Sequence, residues 1–160
     1  MQGISLRPAR PGDGAAVAAV FGAARAQMRY LPHLHSAAED VAYFSERVLP
    51  TSSVLVAVAE PGPGDWSGGE VVGFCALGEG WINHLYVTPN HQGQGIGSAL
   101  VARALLEHPG DLSLWVFEEN VRARALYGRL GFLEVERTDG RGNEERQPDV
   151  RMHRPERTVI

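Results

Sequence analysis

The chain contains no lysine: all 15 of its basic Lys/Arg positions are arginine. This removes the phosphate-binding lysine of a P-loop before any motif is sought. Cysteine occurs once, at Cys75, which excludes an internal disulfide and makes a cytoplasmic enzyme the default expectation. Cys75 lies in the apolar run 71–77 and reads as a small core residue rather than a nucleophile. No apolar run approaches the length of a membrane span, and residues 1–7 carry no apolar signal segment. The net charge of −4 offers no basic surface for nucleic acid or an anionic membrane. With 44% apolar and 21% charged residues over 160 positions, the composition suits one globular domain with its own core.

The most informative segment is Gln92-Gly93-Gln94-Gly95-Ile96-Gly97. It follows a strand-like run over 82–87 and a turn at Thr88-Pro89-Asn90, and it opens a helical pattern from Ile96. Glycines at alternate positions let backbone approach a bulky ligand without a Cβ in the way. The helix that follows aims unpaired N–H groups and its positive dipole end at the same place. Strand, loop and helix start together read as a cradle for a pyrophosphate. Two nucleotide classes fail on spacing. A P-loop requires Lys and Ser/Thr after its last glycine, whereas Gly97 is followed by Ser98-Ala99. A dinucleotide fingerprint counted from Gly93 requires glycine at position 98, which is Ser98.

A different spacing fits. Gln92, Gly95 and Gly97, read as Q-x-x-G-x-G after His84-Leu85-Tyr86-Val87-Thr88-Pro89, resemble the acetyl-CoA pyrophosphate loop of the GNAT N-acetyltransferases. A second block, Asn120-Val121-Arg122-Ala123-Arg124-Ala125-Leu126-Tyr127, runs into Gly128-Arg129-Leu130-Gly131-Phe132. Asn120 is a good N-cap, and Ala123, Leu126, Tyr127 and Leu130 recur at helical spacing up to a stop at Gly131. This block resembles the other hallmark of the family, a helix carrying Asn and Tyr that ends in Leu-Gly-Phe. The resemblance covers about residues 4–154 and is sharpest over 82–132.

The pattern along the chain predicts one domain over 1–154, with 155–160 as a loose tail. Expected elements are a strand over 4–7, a helix over 14–28 capped by Asp13, and a second helix over 36–48 opened by a Ser36/Glu39 capping box. Strands over 53–60 and 70–77 should form a hairpin across the turn-rich loop 61–69. A strand over 81–87, a helix over 96–107 and a strand over 112–117 make a right-handed parallel crossover. After the Asn120 helix, strands over 132–138 and 149–154 pair antiparallel across the charged loop 139–148. The resemblance implies an α/β (α+β) GNAT fold: a mixed central sheet, flanked by helices, whose parallel fourth and fifth strands splay apart to take the cofactor.

The resemblance also implies the site. The main chain of Leu85, Tyr86 and Val87 would pair with the pantetheine arm, and Gln92, Gly93, Gln94, Gly95, Ile96, Gly97 and Ser98 would hold the pyrophosphate. Asn120 and Arg124 would contact the cofactor from the other wall. Tyr127 would protonate the departing CoA thiolate after direct attack by an amine, with no covalent enzyme intermediate. Many members use a strand Glu as base. Here the strand Trp81-Ile82-Asn83-His84-Leu85-Tyr86-Val87 has no carboxylate. Glu79 lies just before it, and His84 is its best titratable group. A lysine-like amine costs about 4.6 kcal/mol to deprotonate at pH 7, an α-amine only about 1 kcal/mol, so water serves the second case.

Acceptor recognition is expected from the irregular segments: Tyr30 and His35 in 29–35, Trp115 beside the splay, and Asn143 and Glu144 in the loop 139–148. That loop resembles a tail in one branch of bacterial GNAT sequences, where with Glu145 it would bind a cationic amine. His33 and His35 find no further ligand nearby, so no metal is expected. The expected activity is acetyl transfer from acetyl-CoA to a primary amine of a small molecule or peptide. The expected partners are acetyl-CoA and that amine, with a homodimer as a state the family adopts. A second reading is an acyl-CoA-binding sensor or interaction module without turnover. The missing strand carboxylate favours it; Tyr127 and Asn120 speak against it, because binding alone needs no proton donor at the sulfur.

Overall fold

A computed structural model describes residues 3–66 and 68–156. The ends of the chain, including most of the expected tail, lie outside the described residues. Among the described residues seven strands form one sheet: β1 (Ile4–Pro8), β2 (Ser53–Ala59), β3 (Glu70–Gly78), β4 (Trp81–Val87), β5 (Leu112–Phe117), β6 (Leu133–Thr138) and β7 (Asp149–Arg154). Their order is β1-β2-β3-β4-β5-β7-β6, so the last strand inserts between β5 and β6. Among the described residues only β4 and β5 run parallel, joined by helix α4 (Ile96–Glu107).

The sheet is covered on both faces, which explains the unbroken apolar run in β2. Leu55 and Ala57 join a core with Ile96, Leu100, Val101, Tyr127 and Phe132. Their neighbours Val54, Val56 and Val58 point the other way, into a core with Val17, Val20, Phe44 and Phe74. The first core is closed by α4 and α5 (Val121–Arg129), the second by α1 (Gly14–Ala26) and α2 (Ala37–Tyr43).

Two helical starts differ from the sequence pattern. Asp13 does not cap α1 with its side chain. Its carboxylate instead accepts from the Arg10 amide at 2.7 Å and from Arg7 at 2.7 Å, fixing a 3₁₀ turn (Pro11–Asp13) ahead of the helix. The second helix is opened by the reciprocal Ser36/Glu39 capping box as expected. It then widens into a π-turn (Phe44–Val48) and closes with one more turn, α3 (Leu49–Thr51). The widened turn lets Ser45 approach α1: a Cβ on Gly14 would lie 1.9 Å from the Ser45 Oγ.

The feature that positions the site is a bulge in β4. Ala76 faces His84 and Leu77 faces Ile82, leaving Asn83 unmatched. The extra residue breaks the alternation: Ile82, Leu85 and Val87 pack toward the α4 core, while Tyr86 packs toward the α1 core. A bulge bends and twists its strand. Pairing of β4 with β5 consists of Trp81 with Ser113 and Ile82 with Leu114, and it stops where the bulge begins.

Candidate active site

Beyond Ile82 the two parallel strands diverge, and among the described residues the β5-facing backbone of 84–87 has no strand partner. A cavity of about 560 Å³ runs from this edge to the glycine loop. Gly93 and Gly95 turn the loop with φ of 78° and 86°, a conformation that favours glycine. The first intrahelical bond of α4 is Ala99 N–H to the Gly95 carbonyl at 3.0 Å, so the amides of Ile96, Gly97 and Ser98 remain free of helical partners. A Cβ on Gly97 would touch Leu126 at 3.4 Å, and one on Gly93 would meet the Arg122 guanidinium at 3.0 Å. Loop and helix start thus form an anion cradle with an arginine above it, which suits a diphosphate. Gln92, Gly93, Gly95, Ile96, Gly97 and Ser98 all line this cavity; Gln94 does not.

Arg122, unremarked in the sequence reading, donates to Gln92 Oε1 at 3.4 Å and lines the cavity. Arg124 points elsewhere, bonding Glu134 at 2.7 Å and the Glu118 carbonyl at 3.0 Å. The relevant signal was available: Arg122 and Leu126 stand four apart, on the face of α5 that meets the glycine loop.

A second cavity, of about 610 Å³, opens between the strands and shares Leu85, Tyr86, Asn120 and Tyr127 with the first. Asn120 caps α5 by accepting from the Ala123 amide at 3.2 Å, leaving its side-chain nitrogen for the cavity wall. Tyr127 is 6% exposed and packs edge-on against Phe132. Burial, reinforced by nearby Cys75 and Tyr86, raises its phenol well above the usual range, so it stays protonated.

His84 lies on the opposite face, ringed by Phe21, Tyr43, Phe44, Phe74 and Tyr86. Its Nε2 is 3.2 Å from the Tyr43 hydroxyl, and its Nδ1 is buried without a partner among the described residues. Burial, aided by the charge of Arg25, lowers its pKa to about 4. It is therefore neutral at physiological pH, and protonating it costs most of what a general base must supply. Glu79 sits on the β3–β4 turn at φ 53° and lines none of the three cavities described here.

A third cavity, of about 700 Å³, continues from His84 toward the loop between α1 and α2. His35 and Glu144 hydrogen bond across its rim, and Glu144 and Glu145 both line it. Asn143 is committed within its own loop, donating to the Gln147 carbonyl at 2.7 Å and accepting from the Gln147 amide at 3.2 Å. Trp115 is 44% exposed and lines the central cavity. Tyr30 stacks edge-on over Phe117 and lines the first cavity, beside the glycine loop, rather than the outer one; burial, then Glu119 and Tyr86, raises its phenol pKa.

The residue joining these spaces is Arg25 of α1, also passed over in the sequence. Its Nε donates to the Tyr86 hydroxyl at 3.3 Å and its Nη1 to Glu145 at 3.2 Å. Its guanidinium lies 5.0 Å from the Phe21 ring centre and 5.5 Å from that of Phe117. Burial works against its charge, and Tyr86 and Glu145 outweigh that, so its pKa rises. The sequence held a hint, since Arg25 follows Phe21 by four positions at the edge of an apolar face.

A splayed parallel pair, a glycine cradle at a helix start and a buried tyrosine between them point to one family. Residues 50–134, just over half of the chain, match the family model described as an acetyltransferase (GNAT) domain. The chain belongs to the GNAT acetyltransferase family. It is 35% identical over 91 residues to the peptidyl-lysine N-acetyltransferase YjaB of Salmonella typhimurium, covering 57% of each chain. The chain spans about half the length of the curated relatives it matches. The GCN5-related N-acetyltransferase from Rhodopseudomonas palustris superposes with a TM-score of 0.72 at 25% identity, over 97% of each chain. The yncA structure from Salmonella typhimurium, solved with its cofactor acetyl-CoA, gives a TM-score of 0.72 at 21% identity, over 98% of this chain and 96% of that one. Among the described residues, no helix is long and apolar enough to cross a membrane.

Proposed function

We propose that this chain is an acetyl-CoA-dependent N-acetyltransferase, a single domain over 1–154, acting in the cytoplasm on a primary amine of a small molecule or peptide. The observation that carries the reading is the position of Tyr127. Its buried phenol lines both the donor groove and the cavity between the strands. A binding module needs no proton donor at the sulfur of a thioester.

Acetyl-CoA supplies an activated thioester. The amides of 96–98 and the Arg122 guanidinium hold its diphosphate, and the free edge of Leu85, Tyr86 and Val87 pairs with the peptide-like arm. Asn120 orients the arm from the α5 side. A β4 amide near Leu85 or Tyr86 stabilises the developing oxyanion, and Tyr127 donates its proton to the departing sulfur. The amine enters past His84, which stays uncharged and shapes the passage. Its proton leaves through water, a route adequate for an amine of low pKa.

The test is release of free thiol from acetyl-CoA over a panel of amines, in wild type and Tyr127→Phe. Turnover that drops about 100-fold or more in Tyr127→Phe, with cofactor affinity retained, supports the enzyme. Tight acetyl-CoA binding with no turnover on any amine would instead make the chain a sensor, a reading favoured by the neutral His84 and the absence of a strand carboxylate.

A further inference from the structure

We propose that Arg25 recognises a carboxylate on the acceptor, so that the acceptor class is an amino acid or a closely similar molecule bearing both an amine and a carboxylate. The inference rests on the acetyltransferase reading and adds to it the chemistry of the second substrate.

Arg25 borders both the central cavity, where Tyr127 lies, and the outer cavity that leads to it. A substrate passing between them meets this guanidinium. The group is fixed in place before any ligand arrives. Phe21 and Phe117 flank it, and the Tyr86 hydroxyl holds its Nε. Ordering a long arginine side chain is a main cost of using it in recognition, and here the protein has already met that cost.

The fork is only half used. A guanidinium offers five N–H donors in a plane that matches a carboxylate bidentately. Glu145 takes a single bond, to Nη1 at 3.2 Å, and no bond to Nη2 is seen among the described residues. A carboxylate therefore already sits on this group, through one oxygen, from a loop residue. An acceptor carboxylate approaching from the central cavity can take the open side of the fork, or displace Glu145 and take both.

The same contacts weaken the alternative, that Glu144 and Glu145 attract a cationic acceptor. Glu145 is neutralised by Arg25 and Glu144 is engaged by His35. Asp40 and Glu39 line the outer cavity but not the central one, and of the other carboxylates lining the central cavity Glu136 is paired with Arg151 while Asp149 accepts from Thr138 and Asn143. Arg25 is the only guanidinium among the described residues lining the central cavity, and its open N–H groups suit a carboxylate and not a second cation.

Matched acceptors test this. Phenylalanine, phenylalaninamide and phenethylamine share a ring and a primary amine, and only the first carries a carboxylate. Initial rates of thiol release would be measured with each, in wild type, Arg25→Gln, Arg25→Lys and Glu145→Gln, repeated with leucine and its decarboxylated amine. The wild type should favour the carboxylated member in kcat/KM by about 30-fold or more, the scale of a charge-assisted hydrogen-bond pair. Arg25→Gln should collapse that ratio to within about 3-fold, and Arg25→Lys should restore part of it. Glu145→Gln, in a surface loop, should lower KM for the carboxylated member by removing its competitor. No preference in wild type, or an equal loss for all members in Arg25→Gln, overturns the proposal, as does a preference for the carboxylate-free members that Glu145→Gln abolishes. Calorimetric binding of the same pairs to the CoA-loaded protein separates the two ideas. A carboxylate preference in binding without turnover sinks the enzyme and keeps Arg25's role. Turnover without the preference does the reverse.

Discussion

The side-chain Nε2 of Gln92 donates to the Val87 carbonyl at 2.9 Å, bending the glycine loop back onto the end of β4. The same nitrogen donates to Gln27 Oε1 at 2.9 Å, and Gln92 Oε1 accepts from Arg122 at 3.4 Å. One amide thus ties the loop to β4, to the end of α1 and to α5. The glutamine of the motif lines the cradle and, through these bonds, shapes it. Replacing Gln92 with Ala should cost about 1–2 kcal/mol of stability in urea unfolding and raise the Kd for CoA about 10-fold. Lost stability with unchanged CoA binding would show that the loop holds its shape without this side chain.

Two arginines two residues apart on α5 should behave differently. Arg122 overhangs Gly93, whereas Arg124 is held by Glu134 and the Glu118 carbonyl. Arg122→Gln should raise the acetyl-CoA KM by about 3- to 10-fold, with a steeper loss at low salt, as expected of an exposed cation meeting phosphate. Arg124→Gln should leave that KM alone and affect only stability, by less than about 1 kcal/mol because its carboxylate partner is largely exposed. Equal effects on KM would remove the distinction.

Much of this was legible in the sequence because local rules governed it. The glycine spacing, the Ser36/Glu39 box, the Asn120 cap and the Gly131 stop each bond within a few residues of themselves. The hairpin of β2 and β3 and the β4–α4–β5 crossover follow from apolar runs and connection lengths. What was hidden depends on partners distant in sequence. The Asn83 bulge shows only against β3, and with it the face that His84 takes. Arg25 finds Glu145 across 120 positions and Tyr86 across 61, and no periodicity reports such a meeting. The place of β7 between β5 and β6 is a choice of sheet order that short hairpin logic does not make.

His84 predicts a pH dependence of stability. Its folded pKa of about 4 lies below the unfolded value of 6.5, so the unfolded chain binds the extra proton first. Stability should therefore fall as pH drops below 6.5, with the penalty complete below about 4 and reaching at most about 3 kcal/mol from this residue. His84→Phe should flatten this part of the profile in urea unfolding at pH 4 to 7. The acid limb of kcat/KM should follow the acceptor's own amine pKa rather than His84. Two acceptors of different amine pKa that give the same limb would return His84 to the role of base.

The rim of the outer cavity should loosen as pH rises. His35 holds Glu144, joining the α1–α2 loop to the loop 139–148. The hydrogen bond to Glu144 raises the His35 pKa above 6.5, outweighing desolvation and helped by the charges of Glu144, Glu39 and Asp40. A histidine whose folded pKa is raised contributes fully below its unfolded pKa, and the contribution is lost as pH climbs through the folded value. Amide exchange over 140–147, corrected for its intrinsic pH dependence, should accordingly be faster at pH 8.5 than at pH 6. His35→Gln, which cannot take a proton, should show fast exchange at both. The ion pair of Arg25 with Glu145 keeps the loop from leaving altogether and bounds the effect. If the pH difference persists in His35→Gln, the contact seen at the rim does not govern the loop.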